Sequence, residues 1–347
     1  SMHSSLLALL LLLMIGALDM ASSNASGTPS APPTRRPVIF SDVDGTLVHY
    51  ENPTSKPNSN LEAREEFMRR LVTLPASNTG RVGYVSLKTL ELLSRFREEC
   101  GGSCYLVSGA RTSTLVQRAP SFKHKGKHVI DGYSPESGGR LFVAVGPDFV
   151  ENVAFGERHD VKPLNDLKAK LRGEGGLVVD DRDYTHQFRL HRSKQPDDAA
   201  AAKFDSFLGE VHPGLGLEGV TKTENLGCID FFPSTSGKSS LGWWFVDSLL
   251  EEEAGFKSRP LVFTCGDDDN DIDLARSAFV AYACFPKKSG RLVKLMEELE
   301  TVGKEGDDAD DGGLKRFSFL GKVEDATDGL QETREPWEVL RDDTEST

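Results

Sequence analysis

Residues 38 to 48 read Val-Ile-Phe-Ser-Asp-Val-Asp-Gly-Thr-Leu-Val, an apolar run that stops on two carboxylates, Asp42 and Asp44, with a Gly-Thr turn directly behind them. No other stretch constrains the fold as strongly. Three or four apolar residues bounded by turn formers suit a strand buried on both faces. The carboxyl end of a buried parallel strand is where open α/β sheets place ligands. Two acids at i and i+2 repel each other there and call for a cation, and a hard ion such as Mg2+, which takes oxygen ligands, meets that need. The same residues also read as a strand and a plain acidic turn, because Asp-Gly is a common turn dipeptide.

A second apolar run decides between these readings. Residues 261 to 274, Leu-Val-Phe-Thr-Cys-Gly-Asp-Asp-Asp-Asn-Asp-Ile-Asp-Leu, again end a strand pattern in acids, Asp267 to Asp271. A cluster of that charge needs a counter-ion, and one metal shared with Asp42 supplies it. An EF-hand is excluded even though Asp267, Asp269 and Asp271 have its opening spacing. Ile272 stands where the turn Gly is required, and Ala278 where the bidentate Glu is required.

Two weaker signals lie between. Cys104-Tyr-Leu-Val-Ser108-Gly109-Ala-Arg111 is a strand ending on a hydroxyl and a Gly turn, which offers Ser108 and the backbone around Gly109 to an anion; alone it is equally a turn. Ser236-Gly237-Lys238-Ser239 precedes a helical pattern. A P-loop is excluded because its first Gly would fall at Phe232, which leaves Lys238 as a single cation brought to an anion.

In order and type these four pieces resemble the haloacid dehalogenase superfamily of phosphohydrolases over residues 36 to 300. The resemblance implies an α/β fold, a Rossmann-like doubly wound parallel-sheet core with an inserted α/β cap of the C2 type. It implies that Asp42 is a nucleophile forming an aspartyl-phosphate, and that Asp44 is the general acid and base. Mg2+ would be held by the Asp42 carboxylate, the Asp44 backbone carbonyl and Asp267, with Asp271 in support. Ser108, Gly109 and Lys238 would bind the transferring phosphoryl group. A carboxylate two residues after the nucleophile points to phosphate ester hydrolysis or phosphomutase chemistry.

The 130 residues from Ser108 to Lys238 exceed what one crossover helix needs and match the position of the C2 cap. The expected division is a targeting segment and linker over 1–35, core over 36–140, cap over 141–228, core again over 229–340 and a disordered tail over 341–347. His128 to Tyr133 is expected as the third core strand, and Glu136-Ser-Gly-Gly139 resembles the turn leading into the cap of sugar-phosphatase-like members, with Ser137 in place of Asn. Within the cap, 141–145 and 184–190 are expected strands, and 161–171 and 199–208 helices. Alternation puts Gln187, Arg189 and His191 on one face. Arg189 and His191, with Arg111 and Asn270, are candidate substrate contacts, a solvated edge being the plainer alternative for the cap residues. Residues 51–82, with a charged helix over 61–72, read as a surface elaboration, and His49 reads either as an approach to the substrate or, more commonly for such a residue, as merely partly buried. A strand is expected over 317–323 and a closing helix or cap near Trp337 to Leu340.

The net charge of −13 is concentrated in the tail: residues 301–347 hold 14 acids and 6 bases, a net of −8. With no basic stripe, nucleic acid is not an expected partner. The five Cys of 347 residues form no disulfide framework or zinc spacing; Cys104, Cys228, Cys265 and Cys284 lie in or beside strand patterns as small hydrophobes. Leu6 to Leu18 is an apolar block of signal-peptide size, too short for a comfortable membrane span and without a basic flank. It favours a secretory or plastid route over a cytoplasmic one, in which case Asn24-Ala-Ser26 becomes a glycosylation sequon, and no stable membrane span is expected in the mature chain. The sequence points to a Mg2+-dependent phosphatase of a small phosphorylated metabolite, a sugar phosphate by resemblance. Phosphomannomutase-like chemistry and a noncatalytic sugar-phosphate-binding protein are the alternatives.

Overall fold

The computed structural model describes residues 37–48, 50, 68–77, 80–173, 176–206, 218–225, 227–252, 260–266, 271–277, 280–285 and 316–319. Along them run β1 (Pro37–Ser41), β2 (Leu71–Thr73), β3 (Tyr84–Ser86), β4 (Ser103–Val107), β5 (Lys123–His124), β6 (Lys127–His128), β7 (Gly132–Ser134) and β8 (Phe142–Val145). There follow β9 (Asp148–Glu151), β10 (Val179–Asp180), β11 (Phe188–His191), β12 (Val220–Asn225), β13 (Cys228–Pro233), β14 (Leu261–Cys265), β15 (Val280–Phe285) and β16 (Arg316–Phe319).

One sheet has the order β16-β15-β14-β1-β4-β7-β8-β9. From β16 to β7 its strands are parallel, and β8 and β9 close the edge as an antiparallel hairpin. Strand order therefore reverses between β1 and β14, the doubly wound pattern whose ligand crevice opens at that switch point. Every residue of β1 is buried, which is why it reads as an unbroken apolar run. Its alternation serves two faces: Val38 and Phe40 share a core with Leu241 and Val246 of the helix Lys238–Glu252, whereas Ile39 shares one with Leu90, Leu93 and Phe96 of the helix Leu87–Cys100. That second helix starts where Ser86 accepts a hydrogen bond from Lys88 N at 3.2 Å and ends at Gly101 with φ 62°, the cap residues such ends favour.

The segment between the second and third motifs builds an antiparallel sheet of order β10-β11-β13-β12. The helix Lys162–Gly173 lays Leu164, Leu167 and Leu171, spaced three and four apart on one face, against it. Phe204 of the helix Asp198–Asp205 joins the same core, where Phe188 and Phe231 stack with centroids 4.8 Å apart.

Several expected elements fall elsewhere. Residues 142–145, expected in the inserted unit, pair with β7 in the large sheet, and with β9 they form the antiparallel hairpin at its end. The third parallel strand is Gly132–Ser134, not 128–133; Lys127 and His128 belong to a separate hairpin with β5. The strand expected over 184–190 is regular only at Phe188–His191, since Thr185 and His186 donate their backbone N–H groups to the Glu136 carboxylate instead of a neighbouring strand. Leu71 and Val72, expected at the end of a charged helix, pair together with Thr73 against β3. Of the strand expected over 317–323, Arg316–Phe319 pairs in parallel with β15. The N-terminal segment, His49, residues 51–67, the side chain of Cys284 and the chain beyond 319 lie outside the described residues. Among those described, no helix is long and apolar enough to cross a membrane.

Candidate active site

Three chain segments end at the switch point. The Asp42 N–H extends the β1–β14 ladder by donating to Cys265 O at 2.8 Å, so Asp42 is held at the strand end with 6% of its surface exposed. The Lys238 ammonium, at the start of its helix, donates to Asp42 Oδ1 at 2.7 Å and to Asp271 Oδ1 at 2.5 Å. Gly266 makes the second contact possible: a Cβ there would stand 2.3 Å from Asp271 Cγ, so only Gly lets that carboxylate fold back over the strand end. Burial alone would lower the Lys238 pKa, but the Asp271 and Asp42 carboxylates outweigh it and hold the ammonium above its ordinary value. Burial also pushes the Cys265 thiol up to about 12, and Cys104 rises likewise; both behave as the small hydrophobes the sequence suggests.

Ser108 follows β4, the other neighbour of β1. Its Oγ accepts from Ala110 N at 3.0 Å, which leaves the hydroxyl proton available to an anion. The Gly109 carbonyl is spanned from the inserted unit by Gln187 Nε2 at 3.2 Å, Arg189 Nη2 at 3.4 Å and Tyr184 Oη at 3.4 Å. Asp44 keeps 38% of its side-chain surface exposed; desolvation and then the Asp42 charge raise its carboxyl above the usual range, against the Tyr50 hydrogen bond and the Arg118 charge.

Not every candidate points the same way. Arg111 donates to Asp180 Oδ2 at 2.7 Å and to Arg182 O at 2.9 Å, tying the second-motif loop to the inserted sheet. Arg189 makes a two-point contact with the buried Asp230, one bond at 2.6 Å and one at 2.5 Å. His191 turns its Nδ1 to Cys228 Sγ at 2.9 Å and its Nε2 toward Asp180 Oδ2 at 3.7 Å, and burial lowers its pKa to about 4. Arg192, which follows His191 in the chain, pairs with Asp205 on the surface. Asp267 and Asn270 lie outside the described residues.

Tyr50, Arg118, Tyr184, Asp180 and Asp230 have no motif to announce them. Glu136 is fully buried, receives Thr112 Oγ1 at 2.5 Å and the N–H groups of Thr185 and His186 at 2.8 and 2.6 Å, and so joins the two units. Beside it Gly138, with φ 84°, allows the Gly237 backbone so close that a Cβ would sit 2.3 Å from its carbonyl oxygen. Gly138 of the expected turn is thus where the chain entering the inserted unit passes close to the chain leaving it.

The donor chemistry fits a hard divalent ion. Lys238 neutralises one of two buried carboxylates, so Asp42 and Asp271 keep a net negative charge made entirely of oxygen donors. Among the described residues no three acidic, His or Cys side chains converge on one point.

No family model and no curated protein sequence matches the chain. Solved structures do. A trehalose-6-phosphate phosphatase C-terminal domain from C. albicans is similar at 13% identity, with 84% of this chain and 97% of that one covered and a TM-score of 0.47. A phosphatase of the HAD superfamily from Bacteroides thetaiotaomicron is similar at 15% identity, covering 78% and 91%, with a TM-score of 0.46. The sucrose-phosphatase from Synechocystis, solved with sucrose and phosphate, is similar at 14% identity, covering 76% and 88%, with a TM-score of 0.42.

Proposed function

We propose that the protein is a phosphoric monoester hydrolase of the haloacid dehalogenase type, acting on a small phosphorylated metabolite and most readily a sugar phosphate. The observation that carries this is the convergence of Asp42, Lys238 and Asp271 at the switch point, with Asp44 two residues on. Asp42 attacks phosphorus and becomes an acyl phosphate while the ester oxygen leaves with the proton of Asp44. Asp44 then takes a proton from the water that attacks the phosphorus of the acyl phosphate, which breaks the bond to the Asp42 oxygen, restores that carboxylate and releases inorganic phosphate. Lys238 and the Ser108 hydroxyl hold phosphoryl oxygens, where negative charge spreads in the transition state.

The Asp42 carboxylate, the Asp44 backbone carbonyl, Asp267 and Asp271 are the residues that would hold Mg2+. Bound there, it would neutralise phosphoryl charge and orient the ester for in-line displacement. The polar face made by Tyr184, Gln187 and Arg189 over the Gly109 carbonyl suits the hydroxyl groups of a polyol, which is the support for a sugar leaving group.

The deciding experiment incubates the purified chain and Asp42→Asn with hexose phosphates and Mg2+. Inorganic phosphate should accumulate in step with ester loss, without a bisphosphate activator, and Asp42→Asn should be folded and inactive. Appearance of an isomeric sugar phosphate instead would establish a mutase. Full activity in Asp42→Asn would remove the nucleophile from the scheme.

A further inference from the structure

Arg118 is 1% exposed, a buried guanidinium at the end of the helix Thr112–Arg118. Two of its nitrogens donate to backbone carbonyls of the segment before β3, Nε to Pro75 O at 3.0 Å and Nη2 to Arg81 O at 3.0 Å. The third, Nη1, donates to the Tyr50 hydroxyl and lies 3.5 Å from Asp44 Oδ1. The Tyr50 hydroxyl in turn is hydrogen-bonded to Asp44 Oδ1. Its ring is flanked by the Arg81 and Arg118 guanidinium carbons at 4.2 and 5.1 Å from the centroid.

The polarity of this chain is forced. A guanidinium only donates, so the Tyr50 oxygen accepts from Arg118 and its one proton points to Asp44 Oδ1. Oδ1 is thereby an acceptor, and among the described residues Asp44 Oδ2 receives no hydrogen bond. We propose that Tyr50 and Arg118 are positioning residues for Asp44, holding Oδ1 so that Oδ2 carries the proton given to the leaving alcohol. This rests on the phosphatase reading above. When the bond between phosphorus and the ester oxygen breaks, that oxygen keeps the electron pair and takes the Oδ2 proton. Asp44 is left as a carboxylate, which Tyr50 and Arg118 then hold by charge-assisted contacts. The segment before β3, a surface elaboration by sequence, is thus the mount of the arginine that aims the acid.

The test uses two esters with the full chain. Glucose 6-phosphate has an alkoxide leaving group that must be protonated; p-nitrophenyl phosphate releases a stable phenolate that need not be. Tyr50→Phe keeps the ring between the guanidinium groups and removes only the hydroxyl. It should lower the rate of glucose release in a single turnover of glucose 6-phosphate by about tenfold or more, a fraction of the roughly 100- to 10,000-fold that general acid catalysis supplies. The phenolate burst from p-nitrophenyl phosphate, which precedes the water attack that Asp44 also serves, should stay within about twofold of wild type, because protonation contributes little there. Added to Asp44→Asn it should cost nothing further, since a residue acting through Asp44 has no effect once the acid is gone. Equal losses on both esters, no loss on either, or an additive double variant would overturn the proposal. A wild-type chain inert on both esters overturns the phosphatase reading, and this proposal with it, before any variant is compared.

Discussion

Lys238 Nζ lies 2.7 Å from Asp42 Oδ1 across 196 positions of sequence. The ammonium is buried, as are both carboxylates it touches. Its place is therefore set by charge: removing one partner of a buried ionic group leaves the others uncompensated, which costs far more than the group contributes as a net stabiliser.

Lys238→Gln should accordingly destabilise the fold by about 3 kcal/mol and reduce phosphatase turnover at least about a hundredfold. Urea denaturation and steady-state assays check the two halves. An unchanged midpoint would show that the ammonium is not confined between the carboxylates.

Chelation should silence turnover and Mg2+ should restore it. The ion should also raise stability by about 2.7 kcal/mol at a hundred times its Kd, which thermal denaturation reads without any assay. Asp271→Asn, lacking one buried carboxylate, should show a weaker Mg2+-dependent rise. Activity that survives exhaustive chelation would count against the proposed oxygen set.

His159 gives a pH dependence with a defined sign. It is 7% exposed, its Nδ1 lies 3.2 Å from Thr235 Oγ1, its Nε2 has no hydrogen-bond partner among the described residues, and it packs edge-on to Phe155 and His186. Burial, then the like charges of His186 and Arg158, lower its pKa to about 4. The fold favours the neutral ring, so its stabilising contribution is complete above about pH 6.5 and is lost as pH falls toward 4. Between pH 7.5 and 4.5 that loss is on the order of 2 to 3 kcal/mol. His159→Gln should lose correspondingly less stability over the same interval, and parallel curves for the two proteins would refute the assignment.

Arg189 and Asp230 are coupled. Arg189→Ala alone strands a carboxylate that is 1% exposed and should destabilise by about 3 kcal/mol. Arg189→Met with Asp230→Leu removes both charges and should recover most of that. If the pair also contacts the sugar, the double variant will keep its rate on p-nitrophenyl phosphate while KM for hexose phosphates rises. Equal effects on both esters would confine the pair to structure.

The four motifs were legible in the chain because each is local. A strand buried on both faces must be an unbroken apolar run, and polar groups placed directly after it stand at the strand end whatever the rest does; Asp42 and Ser108 follow from that. Hydrophobic spacing likewise marked the helices now seen at Lys162–Gly173 and Asp198–Asp205 and the Phe188–Leu190 face of the inserted sheet. Pairing partners are not local, so Phe142–Val145 alternated as any strand does and nothing in its composition assigned it to the large sheet. Arg118 is the sharper case: in sequence it is an ordinary basic residue at a helix end, where solvent is the default. Only the fold brings Pro75 O, Arg81 O and the Tyr50 hydroxyl around it, and so turns a surface-type residue into the buried support of Asp44. The sequence by itself determined which chemical groups end the strands; the tertiary structure decided which charges meet, because that depends on chain crossings between residues far apart, which local residue preferences do not encode.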